Sequence, residues 1–125
     1  MPSLPVLTDH DATDGVAEGL RILLSDSPES QVRFGIHDRL LYATDASLYQ
    51  VEPTGVVVPA DIGAAERVVR WCGQRGVAML PRGGGTSLAG QCTNRAVVID
   101  LTPGCRDLKW VDIGSRLCEG EPGIG

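Results

Sequence analysis

Leu80-Pro81-Arg82-Gly83-Gly84-Gly85-Thr86-Ser87-Leu88-Ala89-Gly90-Gln91 is the stretch from which the rest of this chain is read. The apolar run Val77-Ala78-Met79-Leu80 leads into it, and a second run, Ala96-Val97-Val98-Ile99, follows. A glycine-dense loop therefore sits between two short strand candidates. Consecutive glycines are costly to order, because each loses more conformational freedom than any other residue. They suit a backbone that turns tightly or lies against something bulky. With no side chain at Gly83, Gly84 and Gly85, successive amides can converge on an anion, and Thr86 and Ser87 add hydroxyl donors. Such a nest can hold a phosphate or pyrophosphate. The competing reading is a plain surface turn. The loop does not end in Gly-Lys-Ser/Thr, so it is no P-loop. It also lacks the spaced glycines opening a long helix that a Rossmann turn requires.

Outward from the loop, Val56-Val57-Val58 is a β-branched run bounded by Gly55 and Pro59, which reads as a buried strand. Asp61 is placed to cap the helix that follows. In that helix Ala64, Ala65, Val68, Val69 and Cys72 recur on one face, while Arg67, Arg70, Gln74 and Arg75 form a solvated remainder. Gly76 is its natural stop. Strand, helix and strand at this spacing give a βαβ unit with parallel strands. The glycine loop leaves the carboxyl end of the second strand, residues 77–80, where ligands gather in open α/β sheets. Residues 96–101 make the third strand, and all three strands are expected in one sheet against the helix. Residues 107–112 and 116–119 read as an antiparallel pair, turned by Asp112-Ile113-Gly114-Ser115.

Upstream, residues 1–11 are Pro-rich and read as an irregular lead-in. From Thr13 or Asp14 onward, Val16, Leu20, Leu23 and Leu24 mark an amphipathic helix, which ends in residues 25–30 with Pro28. Residues 39–45 read as a short helix or an extended piece, followed by the polar cluster Asp45, Ser47 and Tyr49. His10 reads as exposed and inert, and His37 has no second group beside it that would make it a base.

At 125 residues the chain can bury one modest core. A net charge of -5 argues against nucleic acid and gives no basic patch for a membrane. Sixteen glycines and eight prolines point to short elements and turns rather than a helical bundle. Cys72, Cys92, Cys105 and Cys118 form no CxxC pair and show no metal-ligand spacing. Cys72 reads as core and Cys92 as a small buried filler beside the loop. No apolar run is long enough to span a bilayer and no signal peptide is seen, so a cytoplasmic protein is expected, with peripheral membrane association of the full-length protein as the alternative.

The segment LPRGGGTSLAGQ, residues 80–91, resembles the flavin pyrophosphate loop of the FAD-linked oxidase family. This is the vanillyl-alcohol-oxidase/PCMH superfamily, in its branch of glycolate, D-lactate and D-2-hydroxyglutarate dehydrogenases. Asp45-Ala46-Ser47-Leu48-Tyr49, Pro53 with Val56-Val57-Val58-Pro59, and Val97-Val98-Ile99-Asp100-Leu101 resemble the same branch in the same order. Cys118-Glu119-Gly120-Glu121-Pro122-Gly123-Ile124 is similar to the strand end that closes its first subdomain. The opening, with Arg39-Leu40-Leu41-Tyr42-Ala43-Thr44-Asp45, is similar to long members fused to an iron–sulfur part. An iron–sulfur cluster would then belong to a C-terminal part outside these residues.

The resemblance implies an α+β fold: the N-terminal subdomain of a PCMH-type FAD-binding domain, with a small parallel or mixed sheet packed against helices. Residues 1–50 would be a helical lead-in and residues 51–125 the first subdomain, with the second subdomain and the cap or substrate domain lying beyond. It implies FAD held non-covalently, its pyrophosphate on the loop at 81–91. The cofactor-binding residues it implies are Arg82, Gly83, Gly84, Gly85, Thr86, Ser87, Gly90 and Gln91. Arg82 either faces phosphate or braces the loop against a carboxylate such as Asp100; bracing is the favoured reading. Some oxidases of the superfamily attach flavin through a histidine at the position matching Gly85, and glycine offers no atom for that bond. The full-length protein would oxidise a 2-hydroxy acid to the 2-oxo acid and pass electrons to a separate acceptor. No catalytic residue and no metal ligand is assigned here, and these 125 residues alone would be inactive. Two other readings stand beside this one: a non-catalytic interaction domain that keeps the fold, and a flavoenzyme like the cell-wall precursor reductases of the same superfamily. The full GGGTSLAGQ run and Asp45-Ala46-Ser47 favour the dehydrogenase branch over the reductase.

Overall fold

The computed structural model describes residues 9–44, 50–87 and 95–124. Along them the chain forms α1 (Asp9–Leu23), β1 (Gln31–Arg33), α2 (Ile36–Leu41), β2 (Gly55–Val58), α3 (Ile62–Arg75), β3 (Met79–Arg82), β4 (Val97–Asp100), β5 (Leu108–Asp112) and β6 (Leu117–Gly120). The first four strands of the chain make one mixed sheet in the order β1-β2-β4-β3. β2 and β3 both run parallel to β4, and β1 is antiparallel to β2.

The sheet's centre follows from sequence. Val56, Val57 and Val58 of β2 and Val97, Val98 and Ile99 of β4 are unbroken apolar runs, as strands covered on both faces require. All six are buried. One face carries Val57, Val97 and Ile99 against Ala64, Ala65, Val68 and Cys72 of α3 and Leu20 and Leu24 of α1. The other face carries Val56, Val58 and Val98 under Tyr42 and Leu80. The three expected strands thus share a sheet packed on the helix. β2 and β3 are not neighbours, however, because the chain returns to lay β4 between them.

α3 has the ends that its sequence dictates. The Asp61 side chain accepts the Ala64 amide at 2.8 Å, and Gly76 takes a left-handed φ of 65° with its N–H directed to the Cys72 carbonyl. Its buried face is narrower than expected. Val69 is 45% exposed, lying one residue round the helix from the fully buried Val68, beyond the stripe that the sheet covers.

Several elements differ from the sequence reading; the piece expected at 39–45 as helix or extended chain is the helix Ile36–Leu41. α1 starts at Asp9 rather than near Thr13. The apolar stripe begins only at Val16, so periodicity overlooks the helix's first turns. β3 is shifted two residues onward and takes in Pro81 and Arg82. A proline without an N–H is tolerated there because β3 is an edge strand. β1 was not expected; three residues, Gln31-Val32-Arg33, are too few to show a period. The antiparallel pair β5 and β6 does form, separate from the main sheet and exposed along both strands. Among the described residues no helix is long and apolar enough to cross a membrane.

Candidate functional site

The glycine loop leaves the carboxyl end of β3 beside the carboxyl end of β4. Arg82, the last residue of β3, is in register with Asp100, the last of β4, and its carbonyl accepts the Leu101 amide at 3.0 Å. Gly83 accepts the Thr102 hydroxyl on its carbonyl at 3.1 Å. Asp100 is a buried carboxylate at 8% exposure, and its two oxygens are both used. The Tyr42 hydroxyl donates to one in a short hydrogen bond, and the Thr102 amide donates to the other at 3.0 Å. The Tyr42 phenol is pushed up to about 12, by burial first and then by the hydrogen bond to Asp100 and its charge. It therefore keeps its proton as donor across the neutral range.

Arg82 braces the loop through main-chain carbonyls. Its guanidinium donates to the Tyr42 carbonyl at 3.2 Å and to the Thr44 carbonyl at 2.7 Å, and lies 5.2 Å from the centroid of the Tyr42 ring. Two carbonyls and an aromatic face can use the planar fork of arginine where a lysine could not.

The three glycines play unlike parts. Gly85 has φ of 70°, and a β-carbon there would come 2.5 Å from Arg82 Nη2, so its glycine is required by the chain itself. Gly83 and Gly84 carry no positive φ. A β-carbon at Gly83 would meet nothing within 4 Å among the described residues, and one at Gly84 only the Thr86 methyl at 3.7 Å. Among the described residues neither packing nor backbone strain asks for glycine at these two positions. There they leave open space over a run of main chain, a cradle that side chains would fill. It suits a bulky anion approaching the amides, as the pyrophosphate of FAD would.

Of the sequence-predicted residues, the fold brings Arg82, Gly83, Gly84, Gly85, Thr86 and Ser87 together at the sheet's carboxyl end, with Thr86 exposed and Ser87 half-buried. Gly90 and Gln91 lie outside the described residues, as do Cys92 and the Asp45, Ser47 and Tyr49 cluster. His37 is exposed on α2, away from this loop's contacts. Cys72 and Cys105 are buried, which pushes both thiols up, and Cys118 is exposed. Sequence reasoning did not find Tyr42 and Thr102 as partners of this site. Tyr42 and its Asp100 partner are 58 residues apart, and Thr102 is 19 residues from Gly83. No local pattern signals either pairing.

This sheet, with a glycine-rich loop at its carboxyl end, is the fold of PCMH-type FAD-binding domains. It superposes on alkyldihydroxyacetonephosphate synthase with a TM-score of 0.69 at 21% identity, covering 99% of this chain and 24% of that one. With p-cresol methylhydroxylase the TM-score is 0.64 at 16% identity, covering 89% of this chain and 22% of that one. The family described as FAD binding domain matches residues 53–125, and the chain belongs to it. It is 30% identical over 90 residues to the D-2-hydroxyglutarate dehydrogenase of Pantoea ananatis (strain AJ13355), a span of 70% of this chain and 9% of that protein. The chain thus spans about one tenth of the length of the curated relatives it matches.

Proposed function

We propose that the whole protein is a flavin-dependent dehydrogenase or oxidase that converts a 2-hydroxy acid of the D-2-hydroxyglutarate, D-lactate or glycolate type to the 2-oxo acid. The loop at 81–91 of this FAD-binding domain holds the cofactor's pyrophosphate. The observation that carries the site is the open space over Gly83 and Gly84, which nothing in the described chain requires. The amides around Gly83, Gly84, Gly85 and Thr86, with the Ser87 hydroxyl, would donate to the pyrophosphate oxygens. The Arg82 guanidinium, already given to the carbonyls of Tyr42 and Thr44, would hold the loop from behind. With no side chain at Gly85 to bond the ring, the cofactor is dissociable.

When bound, the flavin supplies a hydride acceptor for C2 of the hydroxy acid. This chain's residues bind and orient it. The base for the hydroxyl proton and the basic anchor for the carboxylate are assigned to the rest of the protein, and a separate acceptor would take the electrons. The substrate class is supported by the relatives named D-2-hydroxyglutarate dehydrogenase. The test is anaerobic addition of D-2-hydroxyglutarate, D-lactate and glycolate, one at a time, to the purified full-length flavoprotein. Bleaching of the flavin absorbance by one of them is expected. A protein bleached by NADPH and by none of the three acids would be a reductase instead.

A further inference from the structure

The contacts around the glycine loop close into a ring. Starting from Gly83, its carbonyl accepts the Thr102 hydroxyl at 3.1 Å, and the Thr102 amide donates to Asp100 at 3.0 Å. Asp100 accepts the Tyr42 hydroxyl, and the Tyr42 ring and carbonyl hold the Arg82 guanidinium. That guanidinium lies where a β-carbon of Gly85 would be, 2.5 Å from Nη2, and so brings the ring back to the loop. The loop is thus fastened at Gly83 and seated at Gly85. Between them, among the described residues, Gly84 has only the Thr86 methyl within reach of a β-carbon, at 3.7 Å.

We infer that Thr102, Asp100 and Tyr42 are positioning residues for the cofactor loop: they hold its two flanks in the bound shape before the ligand arrives, and leave the middle amides to the anion. This rests on the pyrophosphate reading of the loop. The physical ground is the entropy of glycine. A run of three glycines left to itself samples many backbone shapes, and a ligand that had to select one would bind more weakly in proportion to the rarity of that shape. Fixing the flanks removes that loss beforehand. The anchor is well built for the purpose. Asp100 is buried at the carboxyl end of the central strand β4, its register with Arg82 is set by the sheet, and its two oxygens take different partners, one in each half of the ring.

The experiment is FAD titration of the full-length apoprotein by flavin fluorescence, with thermal unfolding of each apoprotein beside it. Thr102→Val keeps the shape and removes the hydroxyl that holds Gly83; Thr102→Ser keeps the hydroxyl. Tyr42→Phe opens the other half of the ring. Thr102→Val and Tyr42→Phe are expected to raise the FAD dissociation constant roughly three- to tenfold, the worth of one hydrogen bond. Thr102→Ser is expected to stay within about twofold of the parent, whereas a merely space-filling role would give the reverse order, with valine tolerated and serine impaired. Gly84→Val is the control for the site itself. If Gly84→Val weakens FAD binding while Thr102→Val and Tyr42→Phe leave it unchanged, the ring is not a positioning device and this inference is overturned, with the pyrophosphate reading intact. If Gly84→Val also leaves affinity unchanged, both fall together. If the Thr102→Val and Tyr42→Phe proteins bind FAD normally per folded molecule and only melt earlier, the ring serves the fold alone, and the inference is again overturned.

Discussion

Gly104 lies against the main chain of Pro59: a β-carbon at Gly104 would overlap the Pro59 carbonyl oxygen and stand 2.5 Å from the Ala60 carbonyl oxygen. The turn that follows β4 is thereby pressed onto the segment leading from β2 into α3. Gly123 repeats the device one layer out, where a β-carbon would overlap the Leu101 carbonyl, and its amide donates to the Cys105 carbonyl at 2.7 Å. Backbone is thus packed on backbone in the turn that follows β4, the turn that also carries Thr102.

Gly104→Ala should therefore destabilise the protein by about 1–3 kcal/mol, the usual penalty for forcing atoms into a site with no room. The partner atoms are main-chain carbonyls, which cannot swing aside as the end of a side chain can. Lowered thermal unfolding of the apoprotein is the measurement. A melting curve superimposable on the parent's would show that the turn yields.

Asp61 is exposed, so its substitution tests the cap of α3 with little change in burial. Its carboxylate accepts the Ala64 amide at 2.8 Å, one of the donors that a helix start leaves without an intrahelical partner. Asp61→Ala is expected to lower stability by about 1 kcal/mol, and Asp61→Asn by much less, since asparagine caps nearly as well. Urea titration of the two variants would separate them. Equal losses would mean that the carboxylate acts through its charge rather than as an acceptor.

The Tyr42 phenol carries a pH dependence with a definite sign. Burial, and then the hydrogen bond to Asp100 and its charge, push it from its ordinary value near 10 up to about 12. The folded state thus holds a proton that the unfolded chain gives up first. The stability this contributes is complete below about pH 10 and is lost as pH rises toward about 12. Tyr42→Phe should flatten that alkaline decline while lowering stability at neutral pH through loss of the Asp100 partner. Unfolding midpoints of both proteins across this window give the comparison. Parallel declines would mean that the phenol does not couple to folding.

How much of this could be read from the chain depends on the range of the forces involved. Val56-Val57-Val58 and Val97-Val98-Ile99 declare their strands because a strand buried on both faces must be apolar throughout, and Asp61 and Gly76 declare the ends of α3 by local backbone chemistry. The place of the glycine loop at the end of β3 was legible for the same reason. The order of the strands was not: β4 between β2 and β3 is a fact of three-dimensional packing that no local pattern carries. Arg82 shows the same boundary in one residue. That it braces could be argued from its place beside the loop, but it donates to the carbonyls of Tyr42 and Thr44, some 40 residues upstream, and main-chain carbonyls leave no mark in sequence. Val69 was misread because it lies at the margin of the apolar stripe, and periodicity does not say how wide a stripe the sheet covers.

The last prediction separates two neighbouring glycines by what each is needed for. Gly85→Ala should strain the chain without ligand. An alanine at φ of 70° costs about 1–2 kcal/mol, and its methyl would come 2.5 Å from Arg82 Nη2, whose guanidinium is held by two carbonyls. Gly84→Val should do the reverse. Among the described residues its β-carbon would meet only the Thr86 methyl, at 3.7 Å, so the apoprotein should unfold within a few tenths of a kcal/mol of the parent. Its branched side chain would stand in the space over the amides and keep the pyrophosphate from reaching them. Loss of a single charge-assisted bond, roughly 1.5–3 kcal/mol, would raise the FAD dissociation constant about tenfold or more. The pair of titrations and melting curves therefore gives a crossed pattern: Gly84→Val impaired in affinity and normal in stability, Gly85→Ala impaired in stability before any cofactor is added. If Gly84→Val instead melts early and binds FAD normally per folded molecule, the glycine serves the turn, and the open space above it has no occupant.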